Sequence, residues 1–475
     1  MDRKKKQISG IKSLLRSLDG TLEVLLLAIA YYFIWRYGYD SDLFPAYFGF
    51  GKYMLAGVYA LLVVVLFFAL DGFKFGYLKA TDALISQWIS LVLVNFITYW
   101  QLCLIANKLI TPTPILMLTA AGAAICFVCV WIFTWLYHQI YTPKNMAMIF
   151  GRDSSIALKF KMETRPDKYA IKKLIPVEDG FESICRQITN YDAVIINDVP
   201  AQIRNDILKF CYENRIRTYV TPKLSDIIVR GGTSITLFDT PLMLVKGNGL
   251  TPAQQLAKRL LDLVICVPAT IVAAPVMLAV AIAIKLEDGG PVFYKQERIT
   301  VGGKPFMIIK FRSMIVNAEK AGVPQLAQER DPRITKVGRF IRACRLDEIP
   351  QILNILKGDM SIVGPRPERQ GYIDQFVKET PEFTFRTKVK GGLTGFAQIY
   401  GKYNTSPYDK LRLDMMYIEN YSFIMDIKLI LMTIRILFKK DSTEGIDKAE
   451  ELERMTKETL AEIHKEAEEP VAPGK

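Results

Sequence analysis

Four long apolar runs occupy the first third of the chain and predict helices that cross a bilayer. They lie near Leu22–Trp35, Tyr53–Leu70, Ala83–Ile105 and Pro114–Tyr137. About 20 apolar residues suffice to span the hydrocarbon layer as a helix. Lys and Arg concentrate before the first run, between the second and third, and after the fourth. This distribution predicts a four-helix transmembrane unit, residues 1–140, with both ends in the cytoplasm.

The next region, residues 141–250, has the pattern of apolar and polar residues that is typical of a soluble α/β module. NMAMIFG, YDAVIIND and IRTYVTP read as short buried strands, and residues 200–214 have helical spacing. The turn after the first strand, at Gly151, lacks the further glycines of a dinucleotide fingerprint. We therefore predict a Rossmann-like module without a dinucleotide, with a structural, regulatory or dimerising role; a homodimer is the expected partner in the last case.

A fifth apolar run, residues 263–284, lies near the start of the region 251–445. Its length alone predicts another spanning helix. Basic residues flank it on both sides, however, and favour the cytoplasm for both flanks. Pro268 and Pro275 each remove a backbone donor and can kink the helix. Two readings stay open: a kinked span, or a re-entrant helix that returns to the cytoplasmic face and anchors an α-rich, monotopic catalytic domain there.

Two further segments are defined by their charges. Residues 423–438 are apolar with Asp426, Lys428 and Arg435 interspersed. This pattern fits a helix in the membrane interface or a buried core helix. The tail, residues 446–475, is rich in Glu and predicts a solvated helix or a disordered segment.

Composition narrows the chemistry that the chain can perform. The net charge of +13 over 475 residues favours contact with anionic lipid headgroups and phosphate ligands. No nucleic-acid motif accompanies this charge, so nucleic acid is not an expected partner. The two histidines, His138 and His464, argue against a mechanism that needs a catalytic histidine or a histidine-rich metal site. Carboxylates and an oxygen-preferring cation such as Mg²⁺ remain.

The stretch 342–367, RACRLDEIPQILNILKGDMSIVGPRP, carries the candidate chemistry. The adjacent carboxylates Asp347 and Glu348 suit a division of labour in which one attacks phosphorus while the other helps to hold Mg²⁺. The stiff turn Gly364–Pro367 can present Arg366 to phosphate oxygens. A structural salt-bridge network is the alternative reading of these residues.

A basic row precedes the two carboxylates. It consists of Arg333, Lys336, Arg339, Arg342 and Arg345. On a helix this spacing predicts one basic stripe, while four other residues face a core: Val337, Phe340, Ile341 and Cys344. Such a stripe could hold a diphosphate, or it could face solvent or lipid headgroups.

These motifs resemble the bacterial sugar transferase family, the monotopic polyprenyl-phosphate phosphoglycosyltransferases. The resemblance covers about residues 252–445 and rests on several motifs in order: KRLLD (258–262), Pro275, KFRSM (310–314), RLDEIPQ (345–351), LKGDMSIVGPRP (356–367), GLTGFAQIYG (392–401) and LDMMYIENYS (413–422). The apolar runs and α/β module upstream resemble the large, initiating members of that family.

The resemblance implies a reaction and its site. A UDP-sugar would donate sugar-1-phosphate to undecaprenyl phosphate and release UMP, as the initiating step of exopolysaccharide, capsule or O-antigen synthesis at the bacterial inner membrane. Asp347 would form a covalent phosphosugar intermediate, with Glu348 and Mg²⁺ assisting and both carboxylates near the metal. Substrate or phosphate binding would fall to further motif residues: Lys258, Arg259, Asp262, Lys310, Arg312, Arg345, Arg366 and Asp414.

The chain departs from the family pattern at two places. The re-entrant helix of the family breaks at a Ser-Pro pair, whereas this chain has Ala274-Pro275 and lacks the hydroxyl. Lys390-Gly391-Gly392 stands where the family usually has Arg-Pro-Gly, which weakens a phosphate role for Lys390. Two other functions stay open: a non-covalent, metal-dependent glycosyltransferase would release UDP, and a non-enzymatic scaffold would tolerate Asp347→Asn.

Overall fold

The chain forms two compact units, Met1–Thr142 and Pro143–Lys475. The computed structural model describes residues 2–39, 50–74, 76–141, 143–152, 156–316, 318, 331–401, 405–437 and 454–461. Of the acidic tail, only residues 454–461 fall within this range, and they are helical.

The first unit contains four helices. They are α1 (Asp2–Gly38), α2 (Gly51–Ala69), α3 (Ala80–Ala106) and α4 (Thr113–Ile140). All four contain a stretch long and apolar enough to cross a membrane. Polar side chains join three of them, α2, α3 and α4: Tyr59 donates to Asn95 Oδ1 over 3.0 Å, and Asn95 donates to Thr119 Oγ1 over 2.8 Å. Such bonds satisfy polar groups that cannot reach water.

A four-stranded parallel sheet opens the second unit. Its strands are β1 (Lys144–Phe150), β2 (Tyr169–Pro176), β3 (Ala193–Asn197) and β4 (Arg217–Val220), in the order β2-β1-β3-β4. Helices accompany the strands: α5 (Ala157–Glu163), α6 (Phe181–Ile188) and α7 (Ala201–Glu213). The three predicted strands are present. The edge strand β2 was not predicted, because its exposed Lys172 and Lys173 interrupt the apolar pattern.

A long helix, α9 (Pro252–Asp288), follows α8 (Leu224–Arg230) and the antiparallel hairpin β5 (Thr233–Leu237)–β6 (Thr240–Leu244). Thr251 caps its first turn by accepting from Gln254 N. The helix extends beyond the predicted run at both ends and is continuous through Pro268 and Pro275. It is the fifth described helix that is long and apolar enough to cross a membrane.

Most of the remaining elements pack around one core, and one helix packs in a second, smaller cluster. The antiparallel hairpin β7 (Phe293–Ile299)–β8 (Pro305–Phe311) and the parallel pair β9 (Ser361–Val363)–β10 (Gly392–Thr394) form two small sheets. The helices are α10 (Lys336–Ala343), α11 (Gln351–Lys357), α12 (Gln370–Glu379), α13 (Phe396–Tyr400), α14 (Pro407–Glu419) and α15 (Phe423–Leu437). Their shared core includes Ile355, Met360, Phe383, Leu411 and Tyr417.

The basic row does not form the single helical stripe that its spacing predicts. Only the eight residues of α10 are helical, so Arg333 and Arg345 lie outside the helix. Val337 and Ile341, one turn apart, contact the core as predicted. Phe340 and Cys344 do not, because so short a helix turns only a narrow face inward; both are exposed.

Helix α15 has charges inside and apolar side chains outside. Asp426 and Arg435 are buried, whereas Phe423 and Ile424 are exposed. Leu429 belongs to the core of the second unit. The helix therefore packs against that core on one face, and its first turn presents an apolar face that is compatible with lipid.

Candidate active site

Glu348 lies between two cations from different elements. Its Oε1 accepts from Lys310 Nζ and from Arg366 Nη2, both over 2.7 Å. Lys310 is on β8, and Arg366 is in the turn after β9. We refer to Lys310, Asp347, Glu348 and Arg366 as the transfer cluster.

Asp347 has a different environment from its neighbour. Arg345 follows α10 and adopts a left-handed conformation (φ 55°). This conformation redirects the backbone into a 3₁₀ turn over Leu346–Glu348. The Asp347 carboxylate forms no ion pair with any residue that the structure describes. The turn thus leaves one carboxylate available beside one that is held twice.

The pKa shifts of the two carboxyl groups are opposite in direction. Burial and the negative charge of Glu348 raise the pKa of Asp347. Burial alone would also raise the pKa of Glu348, but Arg366 and Lys310 hold it well below its usual range. Burial lowers the pKa of Lys310, and Glu348 partly offsets this effect. Glu348 is therefore ionised at neutral pH, while Asp347 is the more basic carboxylate.

Asn354 fixes the position of β8 against α11. Its Oδ1 accepts from Ile309 N over 3.0 Å, and its Nδ2 donates to Met307 O over 2.8 Å. An amide side chain can satisfy both groups of an extended backbone in this way. Because Lys310 follows Ile309 directly, this clamp positions its ammonium group at Glu348. The sequence interpretation missed Asn354, although a lone amide between apolar residues was a usable signal.

Backbone contacts immobilise the turn that carries Arg366. Gly364 N donates to Thr394 O over 2.8 Å, across the β9–β10 pair. A Cβ on Gly364 would lie 2.4 Å from Lys390 O, so only glycine permits this approach. The carbonyl of Arg366 accepts from Arg386 over 2.9 Å, and the carbonyl of Pro367 accepts from Arg298 over 3.1 Å. These contacts hold the Arg366 backbone without occupying its guanidinium.

Asp414 supports this turn indirectly. Its Oδ2 lies 2.8 Å from Nη2 of Arg386, and both side chains are buried. Burial raises the pKa of Asp414 to about 6, although Arg386 opposes the shift. Asp414 thus contacts a residue that holds Arg366. Its predicted role in substrate binding stays a prediction.

The first turns of α9 form a second polar cluster, which we call the helix-base network. Lys258 donates to Asp426 Oδ2 over 2.6 Å and to the Tyr417 hydroxyl over 2.9 Å. Arg259 donates to the carbonyls of Ile355 and Leu356 at the end of α11. Cations suit that position because helix carbonyls lack intrahelical partners there.

Asp262 completes this network. It accepts from the Ser361 hydroxyl over 3.0 Å and from Ile362 N over 2.9 Å. The bonds of Lys258, Arg259 and Asp262 join α9 to α11, β9 and α15. A phosphate role for these three residues stays a prediction.

The last turns of α9 are bonded to the same domain. Arg312 forms a bidentate pair with Asp288 and donates to Pro291 O over 2.6 Å. Glu287 accepts from Lys336 N over 2.7 Å at the start of α10. Arg312 therefore has protein partners on two sides, and its predicted phosphate contact is not tested by this geometry. The same holds for the predicted role of Arg345.

Comparisons with known proteins identify the family to which the chain is similar. The family model described as bacterial sugar transferase matches residues 253–440. The chain is 32% identical over 329 residues to a UDP-N-acetylgalactosamine-undecaprenyl-phosphate N-acetylgalactosaminephosphotransferase of Aeromonas hydrophila. The aligned residues cover 66% of this chain and 71% of the relative.

Two further relatives are named UDP-glucose:undecaprenyl-phosphate glucose-1-phosphate transferase. The protein of Caulobacter vibrioides is 40% identical over 210 residues, which cover 43% of this chain and 78% of the relative. The protein of Escherichia coli is 39% identical over 211 residues, which cover 43% and 44%. The relatives are sugar-1-phosphate transferases, and five described helices of this chain are long and apolar enough to cross a membrane. The chain belongs to the bacterial sugar transferase family.

Proposed function

We propose that the protein transfers sugar-1-phosphate from a UDP-sugar to undecaprenyl phosphate and releases UMP. The relatives are named for reactions of this kind. The observation that carries the proposal is the contrast within the carboxylate pair. Asp347 has no ion-pair partner among the described residues, while Glu348 is held by Lys310 and Arg366.

In the first step a carboxylate oxygen of Asp347 attacks the β-phosphorus of the UDP-sugar. The bond between that phosphorus and the bridging oxygen breaks, and UMP leaves with the oxygen. Asp347 then carries the sugar-1-phosphate as an acyl phosphate. Its raised pKa favours this role, because a more basic carboxylate is a better nucleophile once ionised.

In the second step a phosphate oxygen of undecaprenyl phosphate attacks the same phosphorus. The bond to Asp347 breaks and the carboxylate is regenerated, so the reaction has ping-pong kinetics. The side chain of Arg366 is 41% exposed, and its guanidinium can offer further N–H donors to the diphosphate. The bond from Arg366 Nη2 to Glu348 holds this guanidinium beside the residue that follows Asp347 in the chain.

Mg²⁺ is the proposed cofactor, and the donor set fits it. Mg²⁺ binds through one or two carboxylates together with substrate phosphates. Asp347 has oxygens without ion-pair partners among the described residues. Glu348 accepts the hydrogen bonds of Lys310 and Arg366 through the same oxygen, Oε1. Asp347 and Glu348 would hold the ion, which would neutralise charge on the diphosphate.

The test is to trap the intermediate. Full-length protein purified in detergent, with Mg²⁺ and UDP-sugars labelled in the β-phosphate and without lipid acceptor, should yield labelled protein and UMP. Asp347→Asn should abolish the label. Release of UDP would favour the non-covalent glycosyltransferase, and full activity of Asp347→Asn in cells would favour the scaffold.

We also propose that α9 is re-entrant and that the catalytic domain lies on the cytoplasmic face of the inner membrane. The stretch of α9 from Asp262 to Asp288 is about 39 Å long as a straight helix. Yet both ends bond to one domain, through Asp262 to Ser361 and through Asp288 to Arg312. The residues between carry exposed apolar side chains such as Ile271 and Val272. A helix that returns to its own side accounts for this arrangement.

Cysteine accessibility tests this path. In a Cys344→Ser background, Lys209→Cys lies before α9 and Lys304→Cys lies after it, and both positions are exposed. A re-entrant helix predicts that a membrane-impermeant thiol reagent reaches both from the same side. Reaction from opposite sides would establish a spanning helix instead.

For the α/β module we propose a Rossmann-like scaffold that supports a homodimer, in an enzyme that initiates exopolysaccharide, capsule or O-antigen synthesis. Nucleotides bind such sheets at the carboxyl ends of the strands. There, Asp198 pairs with Arg152 at 3.4 Å and with Arg412 at 3.8 Å. These ion pairs favour a structural role. Cross-linking of the full chain in membranes would test the dimer.

A further inference from the structure

A cavity of about 410 Å³ lies beside the first turns of α9. Its cations come from two segments: Lys258 and Arg259 from α9, and Lys388 and Lys390 from the segment before β10. It lies at the opposite end of α11 from the transfer cluster. Arg259 contacts the last carbonyls of α11, whereas Glu348 precedes the first turn of that helix.

The four cations of this cavity differ in their partners. Lys258 is paired with Asp426, and Asp262 is the one carboxylate in the lining. Lys388 and Lys390 form no ion pair with a described residue. Glu419 acts on Lys388 and Asp359 acts on Lys390 without forming an ion pair with it, so both ammonium groups can still contact an anion. Burial and the nearby guanidinium of Arg259 lower the pKa of Lys390, so a bound anion would stabilise its charged form.

One wall of the cavity continues into an apolar surface. Leu256 lines the cavity and is 62% exposed. Leu260 and Val264 follow at intervals of four residues and are exposed as well. This spacing forms one stripe along the helix surface. A ligand that occupies both parts needs an anionic head and a hydrocarbon tail.

We propose that this cavity is a second binding site for a phosphate-headed lipid, separate from the transfer cluster. The phosphate contacts Lys388 and Lys390, and the hydrocarbon chain lies along Leu256 and Leu260. The role of Lys390 here rests on its place in this cavity and not on the family motif, from which the chain departs at that position. A polyprenyl phosphate and an anionic phospholipid share this chemistry. The site does not depend on the transfer reaction, so it can be tested even if the proposed function fails.

The experiment titrates the full-length protein in detergent and counts bound lipids by native mass spectrometry. Three arms use a polyprenyl phosphate, phosphatidylglycerol, and inorganic phosphate alone. Lys388→Gln/Lys390→Gln should bind at least one of the two lipids about tenfold more weakly, because each lysine offers a charge-assisted bond. The lipid that responds identifies the source of the phosphate. Lys378→Gln, which removes an exposed charge on α12, is the matched control and should bind like the unmodified chain.

Two further variants separate the head from the tail. Lys388→Arg/Lys390→Arg should restore binding, which excludes a folding defect as the cause of the loss. Leu256→Ser should weaken lipid binding, while Leu286→Ser, at the exposed far end of α9, should not. Unchanged binding of both lipids in the Lys388→Gln/Lys390→Gln variant would overturn the proposal. So would inorganic phosphate binding as tightly as either lipid.

Discussion

The helix-base network and the transfer cluster contain the same kinds of side chain in different states of pairing. At the helix base, Lys258 and Asp426 satisfy each other, and Asp262 accepts two hydrogen bonds. In the transfer cluster two cations converge on Glu348, and Asp347 is left without an ion pair among the described residues. Charged groups that are fully paired with one another hold elements of the fold together. A carboxylate without an ion-pair partner can instead interact with a substrate.

This difference separates stability from chemistry. Removing one member of a buried pair leaves an uncompensated charge, which is costly for folding. Removing a carboxylate that has no partner costs the fold little. The two clusters should therefore respond to mutation in opposite ways.

The largest expected effect is on the reaction. Asp347→Asn should lower transfer by at least about 10³-fold, because it removes the nucleophile. The thermal unfolding midpoint should stay unchanged, since no ion pair is broken. Turnover with a labelled lipid acceptor and unfolding in detergent measure the two quantities. A large loss of stability would mean that Asp347 belongs to the framework.

The next effect is on stability. Lys258→Met should lower the free energy of unfolding by about 3–5 kcal/mol, because Asp426 is left buried without its cation. If Lys258 acts only within the helix-base network, activity should fall only with the folded fraction; a larger loss of activity would support its predicted phosphate role. The triple variant Lys258→Met/Asp426→Leu/Tyr417→Phe should recover most of the loss, since an apolar replacement leaves no polar group unpaired. Lys378→Met serves as a surface control. A triple variant as unstable as the single one would contradict this account.

The smallest effect concerns pH. Protonation of Asp347 removes the nucleophile, so labelling should fall as pH decreases through its raised pKa. The charge of Arg342 opposes that rise, so Arg342→Gln should raise the pKa further. The acid limb of the labelling rate should then move upward by about half a pH unit. The exposed Arg339, one turn away, is the control. An equal displacement in Arg339→Gln would assign the effect to net charge.

The sequence predicts the secondary-structure elements of this protein and its charged site residues better than it predicts which side chains contact each other. The apolar runs, the strands β1, β3 and β4, and the carboxylate pair beside Arg366 all follow from local pattern. Arg312 and Lys310 stand in one motif, yet Lys310 contacts Glu348 and Arg312 contacts Asp288. They lie two residues apart, but only Lys310 follows the backbone that Asn354 clamps to α11. Such partners come from remote elements, so motif letters do not reveal them.

The length of α9 was also beyond local pattern. Its polar first turns carry no apolar signal, and they are helical because Thr251 caps them and their charges find partners on α11, β9 and α15. Exposed Phe340 is a similar case: its apolar character suggested a core position, but α10 is too short to turn it inward.

Arg345 offers a way to separate backbone preference from side-chain function. A left-handed conformation costs a non-glycine residue on the order of 1 kcal/mol, and glycine adopts it freely. Arg345→Gly removes this conformational cost together with the contacts of the side chain, so the change in the unfolding midpoint measures the difference between the two. If transfer falls while the folded fraction is unchanged, the Arg345 side chain contributes to the reaction. That contribution would explain why a strained residue stands at this position. The turn before the nucleophile would then be a place where the protein is less stable than it could be, because activity requires the strained residue.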